Sequence, residues 1–313
     1  MRIAFFSEAG YSGKVSRDNP NMRTDVAWVC ALDAVHHPIP TIHELPDNSY
    51  DVGIMILPKN RKLLLNYPLL EQYKRVCNRV TIMQESYYNY WQDSSIEEQI
   101  WYFNFITEMD LIFCHNDVDL IYYNGLTNVR TELLPSVMIT DGINKRDKKG
   151  NGVIIGGNFV WAYGGFDSYQ VALEITDDVT AVTTGRMKPE EEGVLKHIPW
   201  VLWKDWINIL SQFSVGVQLG TASAGTFNLN CSFHGIPCVG YSNVNTQKVL
   251  HPSTTVEVGD IGGAREIARK LKDNKFYDLC VEETLDNYKN YYSEKRFVEH
   301  TTKIIEEIVN ETN

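Results

Sequence analysis

Short apolar runs alternate with segments of helical spacing along the first half of the chain. Arg2–Phe6 and Asp51–Leu57 have the composition of buried strands, and the apolar positions of Tyr67–Cys77 recur with helical spacing. Further strands are predicted at Arg79–Met83, Asp110–Cys114 and Arg130–Pro135, and further helices at Ser95–Met109 and Asp117–Asn124. Apolar runs separated by helices are typical of a parallel sheet that is covered on both faces.

The same alternation restarts after a polar segment. Asp141–Gly152 is basic and contains glycine, which is typical of a mobile linker between domains. Strands are then predicted at Gly152–Ile155, Val179–Thr184, Phe213–Gln218, Pro237–Gly240 and Thr254–Val258, and helices at Phe166–Ile175, Trp203–Gln212, Phe227–His234, Gly263–Asp273 and Phe276–Val309. The pattern predicts an α/β protein with two Rossmann-like, doubly wound domains facing a cleft. The first covers residues 1–143 and the second 152–290, and a C-terminal helix follows over 291–313.

The length of the chain limits the number of domains, and its net charge limits the classes of ligand that it is expected to bind. The 313 residues suffice for two α/β domains, and 29 basic against 40 acidic side chains give a formal net charge of −11. Such a field repels a long phosphate polymer, whereas a small nucleotide in a local pocket is not excluded. No apolar run approaches the ~20 residues of a membrane helix, and the first residues lack the apolar core of a signal peptide. The six cysteines form no CxxC pair, which favours free thiols in a reducing, cytoplasmic setting.

One loop of very small residues lies between a predicted strand and a predicted helix. Its members are Gly220, Thr221, Ala222, Ser223, Ala224, Gly225 and Thr226. Small side chains let a ligand approach the backbone closely, and the N–H groups and dipole of a helix N-terminus favour a phosphate. The loop is therefore interpreted as a phosphate site. The alternative is a capped helix after a flexible turn that holds no ligand.

Two loops of the first domain follow predicted strands directly. Ser7–Gly13 contains candidate ligand contacts at Gly10, Tyr11 and Gly13. Gln84–Trp91 combines one carboxylate, Glu85, with aromatic rings that pack on sugar faces or stack on a base. The rings considered as acceptor contacts are Tyr87, Tyr88 and Trp91. Glu85 could orient an acceptor hydroxyl or act as the base of an inverting reaction. The alternatives are a mobile turn for Ser7–Gly13, an aromatic core patch for the rings and a surface or cap carboxylate for Glu85.

The stretch Phe213–Gly240 resembles the donor-binding segment of retaining GT-B glycosyltransferases of the glycogen-synthase-like group. Gly235–Pro237 (GIP) matches the end of that family's pattern of strand, glycine-rich loop, helix and second strand. The resemblance places Asn230 where the family carries the glutamate that grips the donor ribose. It further implies donor contacts at Asn158 and Trp200 and a last helix that crosses back to the first domain. The family's basic pair is missing from the loop near Asn158, and Arg186 and Lys188, which follow a predicted strand, could supply the cations instead.

The segment Cys114–Asp119 has two interpretations. Asp117 and Asp119 match the DxD metal motif of GT-A glycosyltransferases, and they also fit the acidic start of a helix capped by Asn116 or Asp117. The helix start is favoured, because a second α/β half has no place in a GT-A protein. His115 follows the strand and is a candidate catalytic residue. No metal site is predicted, since no histidines have metal-ligand spacing.

The sequence thus predicts a glycosyltransferase, a hexosyl- or pentosyltransferase that moves a sugar from a nucleotide-sugar donor to a hydroxyl acceptor. A UDP-sugar is the favoured donor, and Arg186 would neutralise the departing diphosphate without a metal. The family resemblance implies retention of anomeric configuration. The acceptor is a glycan, a small molecule or, because the chain also resembles glycosyltransferases of large DNA phages, a hydroxymethylated DNA base. The alternative functions are a nucleotide-sugar epimerase and a non-catalytic nucleotide-sugar-binding protein.

Overall fold

The computed structural model describes residues 1–57, 68–85, 88–157, 161–182, 193 and 195–311. Four residues singled out from the sequence, Tyr87, Asn158, Arg186 and Lys188, lie outside these ranges. The chain forms two compact units. Unit 1 consists of Met1–Asn19, Thr24–Pro135 and Glu294–Asn313, and unit 2 consists of Pro20–Arg23 and Ser136–Ser293.

Unit 1 is built on a parallel six-stranded sheet with the strand order β2-β1-β3-β4-β5-β6. The strands are β1 (Ile3–Ser7), β2 (Val35–Pro38), β3 (Tyr50–Ile56), β4 (Cys77–Gln84), β5 (Leu111–Cys114) and β6 (Thr131–Leu133). The helices are α1 (Thr24–Ala31), α2 (Leu69–Val76), α3 (Ile96–Thr107), α4 (Asp117–Leu126) and α11 (Glu294–Asn310). The sheet grows in opposite directions from β1, so its topological switch point lies between β1 and β3.

Unit 2 has a second parallel six-stranded sheet, with the order β12-β11-β10-β7-β8-β9. The strands are β7 (Val153–Ile155), β8 (Val179–Val182), β9 (Lys196–Ile198), β10 (Val215–Gln218), β11 (Cys238–Tyr241) and β12 (Thr255–Val256). The helices are α5 (Gly165–Ala172), α6 (Trp203–Leu210), α7 (Thr226–Phe233), α8 (Asn245–Leu250), α9 (Ile261–Lys270) and α10 (Asn274–Asn287). This is the strand order of the dinucleotide-binding Rossmann fold, and its switch point lies between β7 and β10.

The prediction of two Rossmann-like α/β sheets is confirmed. The apolar runs became strands because parallel strands buried on both faces are apolar throughout, as the fully buried β1 and β5 illustrate. The start of α3 is also confirmed at Ser95, whose hydroxyl accepts from the N–H of Glu98 (3.3 Å) while the Glu98 carboxylate accepts from the N–H of Ser95 (2.9 Å).

Two elements of unit 1 were not predicted, and both matter for the candidate site. β2 has the sequence VHHP, in which two histidines and a proline hide the apolar pattern of a strand. It forms the edge of the sheet beside β1. α1 has only eight residues and a weak segregation of polar from apolar positions, since Ala27–Cys30 are all buried. Short or two-sided buried elements give little periodic signal.

The polar segment between the two predicted domains packs onto unit 2 and is not the mobile linker that was predicted. Arg146 donates to the carbonyl oxygens of Phe213 (2.9 Å) and Gly235 and to the hydroxyl of Tyr277 (3.1 Å). The Lys149 ammonium lies 3.5 Å from the centre of the Tyr277 ring. The cationic groups of Arg146 and Lys149 are therefore already paired with carbonyl oxygens and an aromatic ring of unit 2.

The structure bears on two further features of the chain, its cysteines and the question of membrane-spanning helices. All six cysteines are free thiols with buried side chains, as predicted. Among the described residues, no helix combines the length and apolar character needed to cross a membrane.

Candidate functional sites

In unit 2, two glycine-containing loops come together at the carboxyl ends of β7 and β10. Gly157 follows β7 and Gly220 follows β10. A Cβ atom on Gly157 would lie 2.8 Å from the amide nitrogen of Gln218, and one on Gly220 would lie 3.1 Å from the Cα atom of Tyr163. A side chain at Gly157 would collide with Gln218 and Tyr163, and one at Gly220 would be tight against Tyr163, so glycine lets the two loops pack closely at the switch point of the sheet. Ligands of open α/β sheets bind at this place.

The loop Gly220–Thr226 is held by hydrogen bonds of its own. The N–H of Thr221 donates to the carbonyl of Ala162 (3.0 Å), and the N–H of Gly225 donates to the hydroxyl of Ser223 (3.0 Å). These bonds fix the loop in one conformation, whereas the sequence left a flexible turn open as the alternative. The Ser223 hydroxyl is therefore engaged by its own neighbours, since it also donates to Gln218 Oε1 (3.4 Å).

α7 begins directly after this loop without a side-chain cap. Gly225 is the N-cap residue with φ of +73°, and a Cβ there would overlap the side chain of Thr246. Among the described residues no side chain caps this end of the helix, and the first N–H groups, those of Thr226, Phe227 and Asn228, have no partner within the helix. N–H groups of this kind and the positive end of the helix dipole favour an anion.

A hydroxyl group steadies the entrance to this helix. Ser136 Oγ donates to the carbonyl of Ala224 (2.9 Å) and lies 3.4 Å from the hydroxyl oxygen of Thr226. The carbonyl of Ala224 is thereby turned to Ser136, so it does not oppose an anion at the helix N-terminus.

Asn230 does not face the loop. Its side chain is 2% exposed and lies on the buried face of α7. In the amide orientation that satisfies both groups, its oxygen accepts from Trp206 Nε1 (3.0 Å) and its nitrogen donates to the carbonyl of Thr226 (3.2 Å). The prediction that Asn230 binds the donor ribose is corrected, because both of its polar atoms are used in the core.

Trp200 is a surface ring in unit 2. It is 56% exposed, and the Arg23 guanidinium lies 5.3 Å from its ring centre. Arg23 also donates to the carbonyl of Val201 (2.7 Å), which holds the guanidinium beside the indole. The exposed ring is available for stacking, and a base contact at Trp200 stays a prediction.

Unit 1 has a cavity of about 150 Å³ at the carboxyl ends of β1 and β3, beside the switch point of its sheet. The residues that line it are Ser7, Glu8, Ala9, Asp25, Ile56, Leu57 and Glu85. Glu85 directly follows β4, so the candidate acid or base chosen from the sequence does line a cavity. Asp25 lies in the first turn of α1 and could not be found from the sequence, since α1 itself was not predicted.

A buried histidine supports the floor of this cavity. His36 on β2 is fully buried, and its two ring nitrogens lie 2.7 Å from the hydroxyl oxygen of Ser7 and 2.7 Å from the carbonyl oxygen of Tyr11. The Tyr11 ring stacks on the imidazole with centroids 3.9 Å apart, and the Tyr11 hydroxyl donates to Asp25 (3.5 Å). Tyr11 is thus a support for the cavity, and it is not among the residues that line it.

The Asp25 carboxyl holds its proton more tightly than an ordinary aspartate does. Burial, and then the nearby Glu85 carboxylate, raise the pKa of Asp25 to about 6. Desolvation disfavours the charged form, and a second negative charge adds to that cost. Asp25 and Glu85 therefore face one cavity, and carboxylates placed there are suited to accepting or orienting a hydroxyl proton.

Asp25→Asn should raise the free energy of unfolding at neutral pH by about 1–3 kcal/mol. The native state binds the Asp25 proton more tightly than the unfolded state, so wild-type stability falls as the pH rises from about 4 through about 6. The asparagine variant does not lose this stability. The difference in the free energy of unfolding between the variant and wild type should therefore be small at pH 4 and should level off above pH 6–7. Urea denaturation across this pH range measures it.

The matched control for that measurement is Asp93→Asn, a change at an exposed aspartate of unit 1. It should leave the pH dependence of stability unchanged. A stability difference between Asp25→Asn and wild type that is the same at pH 4 and pH 8 would contradict the raised pKa.

Two predicted site residues belong to the core of unit 1. Trp91 is 3% exposed and stacks on Tyr102 with ring centroids 4.6 Å apart, so its role as an acceptor contact is corrected. His115 is buried against Trp28, and burial lowers the pKa of its imidazole to about 4. A neutral core histidine that does not line the cavity is not a catalytic residue.

Three other candidates lie near the surface of unit 1. Tyr88 is half-buried and packs on Tyr122 with ring centroids 4.7 Å apart. Gly10 is exposed with open space around it, and Gly13, at φ of +99°, forms a bridge of two backbone hydrogen bonds with His36. Gly13 therefore folds the loop over β2, and ligand contacts at Gly10 and Tyr88 stay predictions.

The Asp117–Asp119 pattern begins α4, which is the interpretation favoured from the sequence. Asp119 is 3% exposed and accepts from the side-chain amide of Asn116 (3.2 Å) and the N–H of Tyr88 (3.2 Å). Burial raises the pKa of Asp119 to about 6. Within the described residues, no group of three or more histidine, cysteine, aspartate or glutamate side chains could hold a metal ion.

Comparison of the sequence with protein-family models and with curated proteins gave no match. Solved structures do share the fold. Sucrose-phosphate synthase from Thermosynechococcus elongatus is 10% identical with a TM-score of 0.69, over 98% of this chain and 99% of that one. HepE from Anabaena in complex with UDP is 9% identical with a TM-score of 0.64, over 98% and 100%.

Two further solved structures share the fold, one over nearly its whole length and the other over part of its length. WaaG, a glycosyltransferase involved in lipopolysaccharide biosynthesis, is 12% identical with a TM-score of 0.63, over 97% of this chain and 99% of that one. TarM is 11% identical with a TM-score of 0.65, and the match spans 87% of this chain but only 57% of TarM. At these identities the comparisons establish the fold, which is the GT-B fold expected from the sequence.

Proposed function

We propose that this protein is a glycosyltransferase that takes a nucleotide-sugar donor, with a UDP-sugar preferred. The observation that carries the proposal is the uncapped N-terminus of α7, which follows a glycine-lined loop at the switch point of the unit 2 sheet. The N–H groups there match the needs of a diphosphate. The GT-B fold adds support, because HepE with this fold was solved in complex with UDP.

The donor would lie on unit 2. Its diphosphate would accept hydrogen bonds from the N–H groups of Thr226, Phe227 and Asn228, and its base would stack on the exposed face of Trp200. During transfer, the bond between the anomeric carbon and the diphosphate oxygen breaks, and the diphosphate leaves with the electron pair. N–H groups already aimed at that oxygen stabilise the developing charge, so we propose a transfer that needs no metal.

The acceptor would bind in the cavity of unit 1. Its hydroxyl oxygen forms the new bond to the anomeric carbon and its proton passes to the departing diphosphate oxygen, while Glu85 and Asp25 are the candidates that orient the hydroxyl. We keep retention of anomeric configuration as part of the proposal on the sequence resemblance alone. A DNA acceptor is not favoured, because the net charge is −11 and the basic segment around Arg146 is engaged with unit 2.

The proposal is tested by ligand-induced stabilisation of the full-length chain with UDP, GDP, ADP, their sugars and uridine. UDP should raise the melting temperature, and uridine at the same concentration should do so much less, because it lacks the diphosphate. Mass spectrometry of the incubated UDP-sugars should then reveal free UDP together with a transferred or hydrolysed sugar, also with a chelator present.

The outcomes separate the alternatives. Equal stabilisation by UDP and uridine would contradict diphosphate binding at α7. Intact donor with a new sugar isomer would identify an epimerase, and stabilisation without any turnover would identify a non-catalytic binding protein.

A further inference from the structure

Arg23 lies in a short segment that packs on unit 2. Pro20–Arg23 belongs to unit 2, although the residues before and after it in the chain belong to unit 1. The carbonyl of Pro20 accepts from the N–H of Lys204 in the first turn of α6 (3.1 Å). This bond anchors the segment on the part of unit 2 that carries Trp200, so Arg23 is a fixed neighbour of that ring.

One edge of the Arg23 guanidinium is occupied. Nε donates to the side-chain oxygen of Asn21 (3.0 Å), and Nη2 donates to the carbonyl of Val201 (2.7 Å). These two bonds use the side of the group that Nε and Nη2 share. The N–H groups of Nη1 and the outer N–H of Nη2 remain at the end of the side chain, and all of them are donors.

No acidic side chain neutralises this guanidinium. Among the residues that the structure describes, Arg23 forms no ion pair with an aspartate or a glutamate. The side chain is half-buried, and burial lowers the pKa of Arg23, but an arginine remains charged at neutral pH. A partly desolvated cation with donors to spare is suited to a ligand that brings acceptor atoms.

The ring beside Arg23 indicates the shape of that ligand. Trp200 is 56% exposed, and Arg23 Cζ lies 5.3 Å from the centre of its ring. A base stacked on the indole would lie about 3.5–4 Å above it, so the edge of the base comes within reach of a guanidinium at this distance. A flat apolar face beside a group that only donates suits a planar ring with carbonyl oxygens at its edge.

The pyrimidine bases differ in what they present to such a group. Uracil has a carbonyl oxygen at position 4, where cytosine has an amino group. The carbonyl accepts from the guanidinium, whereas the amino group is a second donor and cannot. The carbonyl at position 2 is common to both bases and lies next to the bond to the ribose, which restricts access to it. Position 4 is therefore the atom at which a donor can tell the two bases apart.

We propose that Arg23 is a specificity residue of the donor site, which donates to the position 4 carbonyl of a uracil stacked on Trp200. The inference rests on the proposed function and deepens it, because it names a residue that selects a UDP-sugar over a CDP-sugar. A phosphate would also satisfy the guanidinium, but it has no flat face for the exposed ring beside it. The contact is therefore assigned to the base.

Calorimetric titration of the full-length chain with UDP and CDP tests the inference. The two ligands share the ribose and the diphosphate, so any contribution of α7 cancels in the ratio of their Kd values. UDP should bind with a Kd about tenfold or more below that of CDP, on the scale of one hydrogen bond from a charged donor. Uridine and cytidine, titrated in the same way, report on the base without the diphosphate.

Three variants and a control make the test specific. Arg23→Met should give equal Kd values for UDP and CDP, because it keeps an apolar stem and loses the donors. Arg23→Lys keeps a charge and donors, so it should retain a preference for UDP of about threefold or more. Trp200→Leu should weaken UDP and CDP alike, by about fivefold or more, since stacking tolerates either base. Lys272→Met, at an exposed cation of unit 2, should change neither Kd.

Equal Kd values of UDP and CDP for the wild-type chain would overturn the inference. Weakening of UDP and CDP by the same factor in Arg23→Met would also overturn it, because Arg23 would then contact the diphosphate or the ribose. In both cases a UDP Kd far below that of uridine would leave the proposed donor site intact. Equal Kd values of UDP and uridine would contradict the diphosphate site, whereas a preference for uridine over cytidine would still support the role of Arg23. No binding of any of the four ligands would overturn both proposals.

Discussion

Gly164→Ala is expected to lower the free energy of unfolding of unit 2 by about 2–4 kcal/mol. Gly164 is the N-cap residue of α5 with φ of +62°, in the left-handed region. An added Cβ would overlap the carbonyl oxygen of Leu219, a backbone atom that cannot rotate away. Part of the cost is the unfavourable φ, and the larger part is the forced displacement of Leu219.

Leu219 immediately precedes the loop Gly220–Thr226 that leads to α7, so Gly164→Ala should also weaken UDP binding. Urea denaturation followed by hydrogen exchange of unit 2 amides measures the stability, and calorimetric titration measures the Kd for UDP. The control is Gly259→Ala, at φ of +85° but with open space around the new Cβ. It should cost about 1 kcal/mol and leave the Kd unchanged. Equal losses from both changes would contradict the close contact at Leu219.

Ala224→Asp is expected to raise the Kd for UDP at least about tenfold while leaving the unliganded chain as stable as wild type. Ala224 is half-buried and immediately precedes Gly225, the N-cap of α7. A carboxylate placed there competes with the diphosphate for the open N–H groups and repels its charge. The same carboxylate interacts favourably with the helix dipole, by about 0.3–1 kcal/mol.

The matched control is Ala224→Asn, which has nearly the same size and no charge. Its Kd for UDP should stay within about threefold of the wild-type value, because only a charged side chain opposes the diphosphate strongly. Calorimetric titration gives both affinities, and thermal denaturation gives the stability of each variant. Similar Kd values for the aspartate and asparagine variants would show that the diphosphate does not approach α7.

The glycine-rich loop shows what local sequence can determine. Tiny residues between a buried strand and an apolar helix indicated a phosphate site, and the structure has an ordered loop and an uncapped helix there. The ribose contact at Asn230 failed because it was counted along a helix, and only packing decides which helix face points inward. Trp91 failed for a related reason, since an aromatic residue near a loop suits a core or a binding surface equally well.

The unit 1 cavity shows what local sequence leaves open. Ser7, Asp25, His36 and Glu85 are far apart along the chain, and two of them lie on elements that give no periodic signal. They meet because the sheet order places β2 beside β1 and β1 beside β3, with α1 next to them. No spacing rule within the sequence contains that order.

The sequence by itself determined the two α/β sheets, the loop of small residues before α7 and the position of Glu85 after a strand. Those features depend on neighbours along the chain, through apolar periodicity, small side chains and helix starts. Only the tertiary structure decided the contacts of His36 with Ser7 and Tyr11, the raised pKa of Asp25 and the burial of Asn230, Trp91 and His115. Each of these depends on which distant groups share a low-dielectric space, and strand order and packing alone bring such groups together.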